Sequence, residues 1–160
     1  MSMTEKATII VFSNDLDKVL AALNIATGAA SMGMEVTMFF TFWGLNIIKK
    51  EKTFKKPRNW MKRMLGIVNK GGAERLKLSK FHMLGMGTGM MKRIMKGSNF
   101  PKVKELLSMA KEMGVKFIAC NTSMEMMGIA KEDLIPEIDT IAGVASYLAK
   151  AKDSKINLFI

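Results

Sequence analysis

Ala7–Phe12 (Ala-Thr-Ile-Ile-Val-Phe) is a short apolar run rich in β-branched residues, and a helical stretch and a second such run follow it closely. No other feature constrains the fold of this chain as strongly. A run that is apolar at successive positions predicts a strand buried on both faces. Ser13, Asn14 and Asp15 then offer helix caps, and Asp17 is placed to favour the positive end of a helix dipole. From Asp15 to Met32 the apolar positions Leu16, Val19, Leu20, Leu23, Ala26 and Ala30 keep helical spacing, and Gly33 is a natural stop. Glu35–Phe42 reads as the second strand. Strand, helix and strand with short joints form a βαβ unit, which makes the two strands parallel.

The last third repeats the alternation. Ser98 or Asn99 and then Pro101 open a helix that runs to about Met113 and closes at Gly114. Val115–Ala119 is the third strand. Thr122-Ser123-Met124-Glu125 fits a capping box, which predicts a short helix from Thr122 to about Gly128. Ile138–Ala142, Gly143–Lys152 and Lys155–Ile160 complete the pattern as strand, helix and strand. Five strands alternating with helices predict an α/β chain: a three-layer α/β/α sandwich with a five-stranded, mainly parallel sheet. Residues 1–160 are expected to form one domain, with a basic, methionine-rich insertion at about 45–97 that packs over one edge or pairs between subunits.

That insertion carries all the excess charge. Residues 1–48 hold two basic and four acidic side chains, residues 49–104 hold 17 and two, and residues 105–160 hold six and eight. Within Lys49–Arg63, eight basic residues stand against Glu51 alone. Such a block repels itself and belongs on a surface. It is either a solvated segment or a docking face for an acidic partner, an anionic ligand or a membrane surface. Trp60, Met61, Met64, Leu65, Ile67 and Val68 make an amphipathic helix fit a partner or a membrane. Nucleic acid is not expected as a partner, because no recognition motif accompanies the charge. No apolar run approaches the roughly 18 residues of a spanning helix, and Met1–Lys6 has no secretory character. The expected setting is cytoplasmic and reducing.

A single cysteine and a single histidine leave little catalytic chemistry open. They exclude an internal disulfide, a Cys-x-x-Cys pair and the common zinc sets, so no metal and no cofactor is expected. Gly85-Met86-Gly87-Thr88-Gly89-Met90 lacks the last glycine of a dinucleotide fingerprint and follows no clear strand. Gly66–Gly72 has the glycine spacing of a phosphate loop but sets Gly72 where its lysine belongs. His82 lies far along the chain from Cys120 and reads as structural or surface.

Cys120 is the candidate nucleophile. It follows the third strand directly, and reactive groups of open parallel sheets collect beyond the carboxyl ends of the strands. The capping box places it two residues before a helix N-cap, where the helix amides near Asn121, Thr122 and Ser123 favour a thiolate. The plain alternative is a small buried hydrophobe. The reactive reading requires the sulfur to be solvent-reachable at the rim of the sheet. A solitary thiolate cannot close an internal disulfide, but it can hold sulfur as a persulfide and pass it on. Ser13 and Asn14 after strand one, Thr41, Trp43 and Gly44 after strand two, and Gly143 after strand four are expected to ring the same edge. Asn14 and Gly143 also suit plain capping and turn duty, whereas Trp43 suits the wall of a pocket.

Ile118-Ala119-Cys120-Asn121-Thr122-Ser123, with its short helix closing at Gly128-Ile129, resembles the cysteine loop of the DsrE/DsrF/DsrH-like proteins. Ser13-Asn14-Asp15-Leu16-Asp17-Lys18, Phe39-Phe40-Thr41-Phe42-Trp43-Gly44-Leu45 and Gly143-Val144-Ala145-Ser146-Tyr147-Leu148 resemble the longer DsrE-type members. The resemblance implies an α/β/α domain assembled into trimers or hexamers. It also implies sulfur transfer through a persulfide, carried here onto Cys120, with donor and acceptor proteins as partners. Met124, Met126 and Met127 fill a helix in which shorter members often carry a basic residue. The alternative reading is a non-catalytic module that binds a small anion or nucleotide at the strand ends and docks through its basic segment.

Overall fold

The computed structural model describes residues 4–51, 71–80 and 83–160. The amphipathic stretch at 60–68, His82 and most of the Lys49–Arg63 block lie outside them. Five strands, β1 (Lys6–Val11), β2 (Glu35–Phe40), β3 (Lys116–Cys120), β4 (Thr140–Ala142) and β5 (Ile156–Phe159), form one sheet in the order β4-β3-β2-β1-β5. All four pairings are parallel. Parallel neighbours need crossovers, and the described helices supply them: α1 (Leu16–Ser31), α2 (Met86–Gly97), α3 (Val103–Glu112), α4 (Asn121–Met127) and α5 (Val144–Ala151).

Side chains of a strand alternate between faces, so each strand contributes to two layers. On the first face Ile9, Val11, Met38, Phe40, Phe117 and Ala119 pack with the buried sides of α1, α3 and α4. The Phe40 and Phe117 rings meet edge-on at 5.4 Å, and each ring withdrawn from water stabilises the fold by roughly 1.5–3 kcal/mol. On the second face Ile10, Phe39, Ile118 and Cys120 lie under Tyr147 of α5. Helices on both sides of a parallel sheet make the predicted three layers.

Element boundaries differ from the sequence reading by one or two residues, and the end of β2 shows why. The β2 strand stops at Phe40 because Phe42–Asn46 turns into a 3-10 helix against β1. Gly44 donates its amide to the Phe12 carbonyl at 2.8 Å, so close that an added Cβ would sit 2.0 Å from the Val11 carbonyl oxygen. The same turn corrects the expected insertion boundary. Leu45, Asn46, Ile47 and Ile48 are buried in the core, and Lys50 N and Ile135 N bond the Asp133 and Ile48 carbonyls. The segment therefore leaves the core later than residue 45. Lys49, expected on a solvated or docking face, is half-buried and bridges to Leu134. Burial lowers the pKa of its ammonium, and Asp133 opposes that shift.

Farther along, α2 stands mostly in solvent and is anchored by Thr88, whose hydroxyl accepts the Leu78 amide at 3.2 Å. No described helix is long and apolar enough to cross a membrane.

Candidate functional site

The chain leaves β3 into α4, whose Met124 and Met127 join the first-face core, and leaves β4 into α5, whose Tyr147 covers the second face. Adjacent strands whose exits part to opposite faces open a crevice at their carboxyl ends, the usual ligand position of such sheets. Cys120 and Ala142 are register partners at that point. An added Cβ on Gly143 would stand 3.5 Å from Asn121 Oδ1. Cys120, Asn121 and Gly143 therefore lie next to one another at this point of the sheet edge.

Two details differ from the sequence reading. The capping box at Thr122–Glu125 does not open α4; the helix begins two residues earlier, with Cys120 itself at the N-cap. Asn121 Oδ1 instead accepts the Thr122 amide at 2.7 Å. Nor is the sulfur openly exposed. The Cys120 side chain is directed onto the second face beside Phe39, Ile118 and Tyr147 and is only 5% exposed. Alternation along β3 dictates this, because Cys120 shares its face with Ile118 and α5 covers that face.

Polar groups nevertheless reach it. Thr41, at the end of the neighbouring β2, and Ser123, in the first turn of α4, place their hydroxyl oxygens 2.8 Å apart. Ser123 is buried and Thr41 half-buried. Burial pushes the Cys120 thiol pKa up. The Ser123 hydroxyl and amide, the Thr41 hydroxyl and the Thr122 amide outweigh that effect and hold it below the ordinary thiol range. Cys120 makes no side-chain capping bond, and the Thr122 and Ser123 amides that lower its pKa belong to a helix end whose amides have no intrahelical partner. A lowered thiol pKa raises the share of thiolate at a given pH.

The remaining expected residues divide. Asn121 and Thr122 are exposed next to the cysteine. Ser13 donates to the Asp15 carboxylate at 2.9 Å and accepts the Asp15 amide at 3.1 Å. Both bonds lie within the turn at the mouth of α1. Asn14 is half-buried in the same turn. Trp43 is 44% exposed, on the turn whose close approach Gly44 permits.

Sequence reasoning missed Phe39 and Tyr147. Their rings lie 5.1 Å apart over the second face, and the Tyr147 hydroxyl is 3.3 Å from that of Thr8. Tyr147 is the only tyrosine in the chain and the one buried residue of α5. Only the first of these facts was readable from the sequence.

The comparisons with known proteins bear on the family and the fold. The sequence profile of the DsrE/DsrF/DrsH-like family matches residues 3–159. The chain belongs to the DsrE/DsrF/DrsH-like family. It is 43% identical over 157 residues to the uncharacterized protein YrkE of Bacillus subtilis, covering 98% of both chains. It is 30% identical over 165 residues to the sulfur carrier protein DsrE2 of Allochromatium vinosum, again across 98% of each. Among solved structures, the ychN protein of E. coli superposes with a TM-score of 0.59 at 9% identity, covering 99% of this chain and 100% of that one. MTH1491 of Methanobacterium thermoautotrophicum gives 0.55 at 10% identity, with 98% and 99% covered. At such identities the structures speak for the fold alone, and the family's α/β/α architecture is the one observed.

Proposed function

We propose that this chain is a cytoplasmic sulfurtransferase or sulfur carrier that holds sulfane sulfur as a persulfide on Cys120. The observation that carries the reading is the set of donors from Thr41, Thr122 and Ser123 that keeps a buried thiol inclined to ionise. Family membership and the likeness to a sulfur carrier support it.

In the first step the Cys120 thiolate attacks the outer sulfur of a donor persulfide, R–S–SH. A new S–S bond forms at Cys120, the donor S–S bond breaks, and R–S⁻ departs with its bonding pair. The sulfane proton is shared out to solvent or to R–S⁻, leaving Cys120–S–S⁻. In the second step an acceptor thiolate attacks that terminal sulfur and Cys120 leaves as a thiolate. No external oxidant or reductant enters, because a neutral sulfur atom is exchanged between thiolates. The donors that hold the thiolate would also hold the persulfide anion. In this reading donor and acceptor proteins approach from the side of exposed Asn121 and Thr122.

The same reading takes residues 1–160 as one domain that assembles into a trimer or hexamer. Val144, Leu148 and Phe159, all more than half exposed on the second-face side, supply apolar surface for that assembly. The Lys49–Arg63 block, apart from half-buried Lys49, is proposed as the contact with an acidic partner or a membrane surface. Intact-mass measurement after incubation with a persulfide donor tests the chemistry. One added sulfur on the wild type and none on Cys120→Ser is expected; equal addition to both, or none to either, defeats it.

A further inference from the structure

On the other face of the sheet from Cys120, a cleft of about 590 Å³ opens between α2, the loop that follows it, and the start of α3. That volume falls within the range of small-molecule sites. Its floor is apolar: Leu16 is 2% and Val103 4% exposed, and Met95 and Phe100 extend it. Its walls hold five cations, Lys92, Arg93, Lys96, Lys102 and Lys104, against the carboxylates of Glu74 and Glu105.

Two carboxylates against five cations leave the walls with a formal excess of three positive charges. Glu105 accepts the Lys102 backbone amide at 2.9 Å, and the Lys92 ammonium donates to the Glu74 carbonyl oxygen at 2.5 Å. Arg93, Lys96, Lys102 and Lys104 have no ion-pair partner among the described residues. The intervening chain cannot supply one, since no Asp or Glu occurs at 52–73 or 75–104. Like charges around a concave, low-dielectric surface focus a positive potential, and an anion seated there relieves their repulsion. More than one cation calls for a multiply charged head group, and the Arg93 fork suits the oxygens of a phosphate. The apolar floor calls for a hydrocarbon body behind that head.

We infer that this cleft binds a phosphate ester carrying an apolar chain, with Arg93, Lys96, Lys102 and Lys104 around the head and Leu16, Met95, Phe100 and Val103 beneath the chain. Such a phosphate comes either from a free metabolite or from the headgroup of a membrane lipid. The site is separate from Cys120 and independent of the sulfur-carrier reading.

The test is calorimetric titration of the full chain with three probes below their micellar concentrations: dodecyl phosphate, inorganic pyrophosphate and dodecyl maltoside. Dodecyl phosphate is expected to bind saturably, one per chain. Pyrophosphate should bind at least about tenfold more weakly, and the maltoside should not bind. Lys96→Glu and Lys104→Glu should each weaken dodecyl phosphate about tenfold or more. Phe100→Ala should weaken it while leaving pyrophosphate unchanged. Reversing Lys150 and Lys152, which lie outside the cleft, should change nothing. Co-sedimentation with phosphatidylglycerol vesicles, but not phosphatidylcholine vesicles, would assign the phosphate to a lipid if dodecyl phosphate competes. Binding of dodecyl phosphate without vesicle binding would assign it to a free ester. Equal binding of all three probes, cleft variants that bind like the wild type, or an equal loss on reversing Lys150 and Lys152 would overturn the inference. Sulfur loading of Cys120, measured in the same Lys96→Glu and Lys104→Glu proteins, is expected to stay at the wild-type level, so the two readings fail separately.

Discussion

Replacing Ser123 by alanine removes the hydroxyl that acts most strongly on Cys120 in the direction of ionisation. A hydrogen bond to a charged group contributes about 1.5–3 kcal/mol. Each ~1.4 kcal/mol corresponds to one pKa unit. The amides of Ser123 and Thr122 and the Thr41 hydroxyl remain as donors, so the loss falls at the lower end, raising the thiol pKa by about one unit. Well below the titration midpoint the thiolate fraction then drops about tenfold. A more basic thiolate is intrinsically more reactive, with a Brønsted slope of about 0.4–0.5, which returns roughly threefold. On the acid side of the midpoint the alkylation rate should therefore fall about threefold, while the midpoint itself moves up by about one unit. Cys120 is the only cysteine, so iodoacetamide labelling followed by intact mass reads this site alone. Stability should fall by only ~1 kcal/mol, because half-buried Thr41 can turn its hydroxyl to water. An unmoved or lowered midpoint in a folded Ser123→Ala protein would refute the reasoning.

Three other outcomes follow from the packing. Gly44→Ala drives a methyl carbon to 2.0 Å from the Val11 oxygen; urea melts should show a loss at the top of the ~1–3 kcal/mol overpacking range or beyond. Tyr147→Ala uncovers the second face, so Cys120 alkylation should speed up severalfold while stability drops by about 3 kcal/mol. Asp139 accepts from Lys111 Nζ at 2.5 Å and from Phe117 N at 2.7 Å. Burial raises its pKa, but those two bonds, aided by Lys116, hold it below the ordinary carboxylate range. A depressed carboxylate contributes stability above its unfolded pKa of ~3.9 and loses it as pH falls through the lower folded value. Asp139→Asn should thus cost about 1–2 kcal/mol at neutral pH, discounted for a 29% exposed side chain. The difference from the wild type should vanish in strong acid, as read by urea midpoints across that range.

The parallel sheet was legible because a two-face-buried strand and an amphipathic helix leave different periods in the sequence, and Cys120 at the end of β3 was legible from that alternation alone. Its depth was not. The cover over the sulfur comes from Tyr147 on α5 and Phe39 on β2, and their approach is a tertiary event with no local pattern. The Thr41–Ser123 pair spans 82 residues of chain, so neither hydroxyl announces the other. Thr122 and Glu125 have the right types and spacing for a capping box, yet the strand hands directly into the helix at Cys120. The core position of Leu45–Ile48 was hidden by the basic block that follows it, whose charge suggested an earlier exit from the fold.

Transfer itself is the most direct measurement of the central claim. The protein is loaded with isotopically labelled sulfane sulfur, freed of donor and mixed with an acceptor protein thiol, and both partners are weighed over time. The account predicts loss of one labelled sulfur from Cys120 matched by its gain on the acceptor, with Cys120→Ser inert. Label that never leaves the wild-type chain, or that reaches the acceptor equally well through the serine variant, would contradict it.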